Sequence, residues 1–151
     1  MLVSLISLCA DHSRFNLLEW RGDKISGSTY AKSNLMPDLH LRHRLDEGWV
    51  EYFIECKYRS TLPGGVLDLT SQLSRYRRMK LNQSTADLFI AVGVGGTPSC
   101  PESFYLIPDR MIKRDYIISL KNFSKCLCPK DSDGFHEYIS HYFKIRVFNK
   151  K

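Results

Sequence analysis

Residues 38–58 read DLHLRHRLDEGWVEYFIECKY, and this stretch decides the fold. Two runs of strand-forming residues, Asp38 to Arg44 and Trp49 to Tyr58, stand on either side of the turn-forming sequence LDEG. Asp, Glu and Gly suit a tight chain reversal, so the stretch predicts an antiparallel β-hairpin. Because successive side chains of a strand point to opposite faces, Glu55 and Lys57 are predicted to share one face of the second strand.

The segments around this hairpin predict a central mixed β-sheet flanked by helices. Phe15 to Trp20 predicts a strand, and Asp23 to Pro37, rich in Ser, Gly and Asn, predicts a loop or an irregular hairpin. After the hairpin, Val66 to Asn82 has apolar residues at helical spacing, and Asp87 to Val94 is a continuous apolar run typical of a buried strand. A strand, a helix and a second strand of these lengths indicate a crossover connection.

The rest of the chain completes an α/β outline. Phe104 to Ile107 predicts a short strand, Arg110 to Phe123 is ambiguous between helix and strand, and Phe135 to Phe143 predicts a helix with one apolar face. The apolar first ten residues lack the basic region of a signal peptide and are interpreted as core. No stretch approaches the roughly 20 apolar residues that span a bilayer. We therefore expect one α/β domain over residues 1–151 and no membrane partner.

Composition and charge narrow the class of protein. The content of 43% hydrophobic and 25% charged residues is that of a globular domain, which excludes disordered and collagen-like classes. The chain has 22 Lys and Arg against 16 Asp and Glu, a formal charge of +6 that favours approach to a nucleic acid. Its five cysteines show no framework of paired spacings, which indicates a reducing, cytoplasmic setting.

Two acidic residues of the hairpin suggest a metal site. Asp38 begins the first strand and Glu55 lies towards the end of the second, so the antiparallel reversal brings them together. Carboxylate oxygens bind Mg²⁺, with Mn²⁺ as an alternative, and the metal then activates water and neutralises charge on a scissile phosphate. Lys57, on the same face as Glu55, can orient that water or stabilise negative charge. The pattern therefore meets the chemical needs of phosphodiester hydrolysis.

The same residues resemble a known family. Pro37-Asp38, then sixteen residues, then Glu55-Cys56-Lys57 resembles the motif of the PD-(D/E)XK nuclease superfamily, and the order of hairpin, helix and strand is similar as well. The predicted helix contains Gln72-Leu73-Ser74-Arg75-Tyr76, which resembles the Gln-x-x-x-Tyr motif of the RecB-like branch. Two motifs in the family's order make the resemblance more specific than either motif alone.

This resemblance implies a restriction endonuclease-like core and Mg²⁺-dependent cleavage of DNA. It implies that Asp38 and Glu55 are the metal ligands and, with Lys57, the catalytic residues. It further implies that Gln72 and Tyr76, which lie one helical turn apart, contact the substrate beside the metal.

Several points stay open in the sequence. Arg75 and Arg78 on the helix flank are candidate phosphate contacts, although a solvated helix face is nearly as good an interpretation. Many family members add an acid or a histidine from an N-terminal helix, for which Glu19 or His12 is a candidate here. The short segment before the first strand suggests part of a longer protein, and a homodimer is equally open.

Two alternatives to a DNA nuclease also stay open. The first is a non-catalytic DNA-binding or interaction module that retains the nuclease fold, and the second is RNA as the substrate. The simplest interpretation of Glu55 and Lys57 is an ordinary exposed ion pair on a solvated sheet. The apolar neighbours of Glu55 in the sequence, Ile54 and Cys56, argue against it, because an unused charge among apolar residues is unfavourable.

Overall fold

The computed structural model describes residues 2–9, 13–20, 36–78, 86–113 and 116–148. The helices are α1 (Leu2–Cys9), α2 (Thr70–Arg78) and α3 (Ser132–Phe148). The strands are β1 (Phe15–Trp20), β2 (Leu39–Leu45), β3 (Gly48–Arg59), β4 (Val66–Asp68), β5 (Asp87–Val94), β6 (Ser103–Pro108) and β7 (Ile117–Ser119). Short 3₁₀ turns occupy Pro63–Gly65, Asp109–Met111 and Leu120–Cys126.

The strands form a mixed five-stranded sheet in the order β1-β2-β3-β5-β6, with β4 and β7 paired separately. The predicted hairpin is confirmed: β2 pairs antiparallel with β3, and Leu45 pairs with Gly48 across a two-residue turn. Gly48 has a φ of 128°, a conformation that side-chain-bearing residues rarely adopt. Strand β5 pairs parallel with β3 after the intervening helix α2, so the predicted crossover is also confirmed.

Each face of the sheet is covered by its own apolar core, because side chains alternate along β3. Tyr52 and Ile54 point into a core shared with α1 and α3, which includes Leu5, Phe15, Leu39, Phe89, Phe135 and Ile139. Phe53 and Glu55 point to the opposite face, where α2 and the small sheet pack. That second core includes Leu67, Leu69, Leu73, Tyr76, Ile90, Val92, Ile107 and Ile118. The candidate catalytic glutamate is therefore on the α2 side.

The apolar N-terminal residues belong to the core, as predicted. Helix α1 buries Leu5, Ile6 and Cys9 against the face that α3 also covers. Within the described residues, no helix is long and apolar enough to cross a membrane.

Helix α2 begins later than the sequence pattern predicts. Val66–Asp68, expected to be its first turn, is instead strand β4, which buries Leu67 and pairs with β7. The Asp68 carboxylate accepts the backbone N–H of Thr70 at 2.8 Å, which satisfies one of the free N–H groups at the start of the helix. The predicted helix end at Asn82 and the predicted loop before Met36 lie outside the described residues.

The ambiguous segment Arg110 to Phe123 is neither one helix nor one long strand. It contains parts of two 3₁₀ turns with strand β7 between them, and Ile118 of that strand is buried. Because the partner of β7 is β4, about fifty residues earlier in the chain, local periodicity carries no sign of the pairing.

Candidate active site

The end of the hairpin brings Asp38 beside the Glu-x-Lys segment. Leu39 pairs with Ile54, so Asp38, one residue earlier, lies level with Glu55, one residue later. The Asp38 Oδ2 atom accepts the backbone N–H of Cys56 at 2.7 Å. This bond holds the Asp38 carboxylate against the strand that carries Glu55, in the arrangement that the motif spacing predicts.

Glu55 is a buried carboxylate, with 4% of its surface exposed. Its neighbour in the parallel strand is the apolar Ile90, so the charge is unfavourable there unless it is paired. Lys57 supplies a partner: its Nζ atom donates a hydrogen bond to Glu55 Oε1 at 2.5 Å. The predicted placement of Glu55 and Lys57 on one strand face is therefore confirmed, and the pair is not an exposed surface ion pair.

Tyr76 of α2 reaches the same carboxylate. Its hydroxyl donates a hydrogen bond to Glu55 Oε2, while its ring is buried among Leu69, Leu73 and other residues of the α2-side core. Burial and the negative charge of Glu55 raise the pKa of Tyr76 well above its ordinary range, so the hydroxyl stays protonated and remains a donor. Tyr76 thus lies beside Glu55, and its predicted contact with a substrate stays a prediction.

Arg75 extends this group of hydrogen-bonded side chains towards the surface. Its Nη2 atom donates to the Tyr76 hydroxyl at 3.2 Å, and its guanidinium lies 5.0 Å from the centre of the Tyr76 ring. Lys57, Glu55, Tyr76 and Arg75 thus form one chain of polar contacts from β3 to α2. Two cationic side chains lie at its ends and one carboxylate lies between them.

The remaining helix residues are placed less directly. Gln72 is half-buried one turn before Tyr76, and its Oε1 atom accepts a hydrogen bond from the Ser71 hydroxyl at 2.9 Å. Because Gln72 and Tyr76 are four residues apart in α2, their side chains lie on the same face of the helix. Its contact with a substrate stays a prediction. The Arg78 side chain and His12 lie outside the described residues.

Glu19, a predicted metal ligand, lies on the edge strand β1. It pairs with His40 and so shares the sheet face of Asp38, but it is exposed and separated from Glu55 by the width of β2. Among the described residues, no group of three or more His, Cys, Asp or Glu side chains is placed to hold a metal ion. The structure therefore places Asp38 and Glu55 level with each other on adjacent strands, and metal binding by them, with or without Glu19, stays a prediction.

Two residues of the hairpin add detail that the motif does not contain. Cys56 gives its N–H to Asp38, while its own side chain packs on the opposite face, and burial raises the pKa of its thiol well above the ordinary range. His40 shares the face of Asp38, stacks on Phe53 at 4.3 Å between ring centres, and lies 3.3 Å from the Glu51 carboxylate. The alternation of side chains along β2 and β3 is sufficient to predict the sheet face on which Cys56 and His40 each lie.

Comparison with known proteins supports the fold. No protein-family model and no curated protein matches the chain. A solved structure that it resembles is that of Archaeoglobus fulgidus Hjc, a Holliday junction resolvase from an archaeal hyperthermophile. The TM-score is 0.52 and the sequence identity is 16%, and the match covers 89% of this chain and 94% of the Hjc chain.

The structural similarity extends over nearly the whole of both chains. Because the sequence identity is only 16%, it is evidence for the fold alone. The predicted α/β architecture, a mixed sheet flanked by helices in a restriction endonuclease-like core, is therefore confirmed. The assignment to the RecB-like branch, which depends on Gln72 and Tyr76, stays a prediction.

Proposed function

We propose that this chain is a divalent-metal-dependent nuclease that cleaves DNA. The observation that carries the proposal is the hydrogen bond from the Cys56 N–H to the Asp38 carboxylate, since Cys56 stands between Glu55 and Lys57 at the end of the same hairpin. The fold likeness to a Holliday junction resolvase supports the same class of activity. The charge of +6 suits a polyanionic partner.

The donor set fits Mg²⁺, with Mn²⁺ as an alternative. Mg²⁺ in phosphoryl-transfer enzymes is commonly bound by one or two carboxylates together with substrate phosphates, and it does not need a complete protein cage. Asp38 and Glu55 would supply those carboxylates. When bound there, the ion would supply an activated water and stabilise the negative charge that develops on the scissile phosphate.

The protein's own residues position the reacting groups. Lys57, the cation nearest Glu55, would orient the attacking water and stabilise negative charge. Tyr76 and Lys57 fix the Glu55 carboxylate from two sides, which sets its orientation before substrate binds. Arg75 and Gln72 on α2, with Arg78 at the helix end, would hold the substrate strand.

A second candidate is a DNA-binding module without catalytic activity. The observation in its favour is that both oxygens of Glu55 accept hydrogen bonds, one from Lys57 and one from Tyr76. A carboxylate held in this way can have a purely structural role. The chain would then bind DNA without cleaving it.

A cleavage assay distinguishes these candidates. Supercoiled plasmid, linear duplex, single-stranded DNA, a four-way DNA junction and a matched RNA are each incubated with Mg²⁺, Mn²⁺ or EDTA. We expect cleavage of at least one DNA substrate with Mg²⁺ or Mn²⁺ and none in EDTA. If DNA is bound but stays intact with both metals, the non-catalytic module is the better interpretation, and cleavage of RNA alone would correct the substrate class.

The bond from Tyr76 to Glu55 makes a specific prediction about catalysis. Tyr76→Phe keeps the buried ring but removes one of the two donors to Glu55, so the carboxylate is less firmly oriented. We expect the cleavage rate to fall about tenfold, while the free energy of unfolding falls by only about 1 kcal/mol. Initial cleavage rates and thermal melts measure the two effects.

Tyr138→Phe is the matched control for this substitution. The Tyr138 hydroxyl donates to the carbonyl of Leu106 at 2.5 Å, and the residue packs on the opposite face of the sheet. Both substitutions remove one tyrosine hydroxyl. Tyr138→Phe should therefore lower the free energy of unfolding by a similar amount without lowering the cleavage rate. Equal effects of the two substitutions on cleavage would show that Tyr76 is only a core residue.

A further inference from the structure

The hairpin carries an exposed aromatic side chain beside an arginine. Trp49, near the start of β3, is 43% exposed, and the guanidinium carbon of Arg42 lies 4.8 Å from its ring centre. By the alternation along β2 and β3, both side chains lie on the sheet face of Asp38 and Glu55. An exposed indole beside a guanidinium presents an aromatic face and a positive charge together, the combination on which bases of a single strand stack.

Among the described residues, the carboxylate nearest in register to Arg42 forms an ion pair with a histidine and none with Arg42. Arg42 pairs in register with Glu51, but the Glu51 carboxylate lies 3.3 Å from His40. Arg42 is half-buried, and within the described part of the chain its buried Nε atom has no hydrogen-bond partner. Arg44, directly across from Trp49 in the register, is exposed. Arg42 and Arg44 therefore share the sheet face of the indole.

These side chains lie within reach of a strand bound at the candidate active site. Arg42 follows Asp38 by four residues on the same strand face, a separation of about 13 Å at roughly 3.3 Å per residue. Consecutive nucleotides advance by about 3.4 Å along a duplex strand and further when extended, so this distance corresponds to a few nucleotides.

We propose that Trp49, Arg42 and Arg44 form a subsite for an unpaired stretch of a nucleic-acid strand beside Asp38 and Glu55. An unpaired base stacks on the exposed indole, and the guanidinium groups bind the phosphates on either side. In a continuous duplex the faces of the bases are already stacked on one another, so the subsite favours single-stranded or branched DNA. This inference rests on the proposed function for the nature of the polymer.

Tryptophan fluorescence tests the subsite directly, because the chain has two tryptophans. In a Trp20→Phe background, Trp49 is the remaining reporter, and it is titrated with a single-stranded oligonucleotide in EDTA so that no cleavage occurs. We expect saturable quenching of Trp49. We also expect Trp49→Ala, measured by anisotropy of a labelled oligonucleotide, to weaken single-strand binding about tenfold. Its effect on duplex affinity should be within about twofold.

Other substitutions define what the subsite recognises. Trp49→Phe keeps an aromatic face and should retain most of the single-strand affinity. Arg42→Ala should lower both the affinity and the log-log salt dependence, the latter by about one unit for one phosphate contact. Trp20→Ala is the matched control, because Trp20 is 57% exposed but pairs with Leu39 on the opposite sheet face. It should leave single-strand binding unchanged.

Two results would overturn this proposal. One is unchanged single-strand affinity in Trp49→Ala together with no quenching of Trp49. The other is a change of oligomeric state in Trp49→Ala, seen by light scattering, with unchanged affinity, which would make this surface a protein interface. Because binding is measured in EDTA, absence of cleavage would contradict the proposed nuclease activity without affecting the test of the subsite.

Discussion

Asp38→Asn is expected to lower the rate of DNA cleavage at least about a thousandfold, which corresponds to about 4 kcal/mol of transition-state stabilisation. The substitution removes the charge that would hold the metal but keeps an oxygen that can accept the N–H of Cys56. Asp38→Ala would lose that hydrogen bond as well, so asparagine separates catalysis from folding more cleanly. DNA affinity measured in EDTA should be unchanged or higher, because a carboxylate that repels phosphate is gone.

Rates with Mg²⁺, affinities in EDTA and thermal melts are needed for wild type and variant together. Asp46→Asn is the matched control, since Asp46 is an exposed aspartate in the turn of the same hairpin, 3.5 Å from Lys144. It should cleave at the wild-type rate. A folded Asp38→Asn protein that cleaves as fast as Asp46→Asn would exclude Asp38 as a metal ligand.

The hairpin and the positions of Asp38 and Glu55 in it could be predicted from the sequence because their determinants are local. Side-chain alternation assigns Glu55 and Lys57 to one face, and the length of the turn sets the register that places Asp38 level with Glu55. The contact between α2 and β3 was predicted for a different reason. It depended on the resemblance of Gln72 and Tyr76 to a family motif, since nothing in the helical periodicity alone directs Tyr76 to Glu55.

What the sequence could not supply depends on distant contacts. Val66–Asp68 continues the apolar spacing of α2, yet it forms a strand because β7 supplies a partner that lies far away in the chain. Whether Glu19 joins the carboxylates depends on the register of the edge strand, which shifts between Leu17 and Glu19. A one-residue irregularity of this kind changes which side chains face each other, and the local sequence does not predict it.

The other face of the sheet contains a buried histidine pair that makes stability depend on pH. His43 is fully buried, stacks on Phe15 at 3.8 Å between ring centres, and has its Nε2 atom 2.7 Å from Nδ1 of His136. Burial, followed by the positive charges of His136 and Arg14, lowers the pKa of His43 from its ordinary value of 6.5 to about 3. In the folded protein His43 is therefore neutral at moderately acidic pH.

The sign of the pH effect follows from this lowered pKa. As the pH falls below 6.5, the unfolded chain gains a proton on His43 and the folded protein does not. The free energy of unfolding therefore decreases as the pH is lowered, until the pH reaches the folded pKa near 3. At about 1.4 kcal/mol per pH unit, His43 should account for a loss of about 3 kcal/mol between roughly pH 7.5 and pH 4.5. Above about pH 7.5, where His43 is neutral in both states, its contribution should be constant.

Urea unfolding at a series of pH values in wild type and His43→Phe measures this contribution. Phenylalanine keeps an aromatic ring against Phe15 but cannot take up a proton, so the variant should lose about 3 kcal/mol less than wild type between these two pH values. Carboxylates titrate in both proteins, and their effect cancels in the difference. His141→Gln, which removes an exposed histidine from α3, the helix that carries His136, is measured alongside as the control for loss of a histidine. Parallel curves for wild type and His43→Phe would mean that His43 is accessible to protons in the folded state, and the pH dependence would then have to arise from other groups.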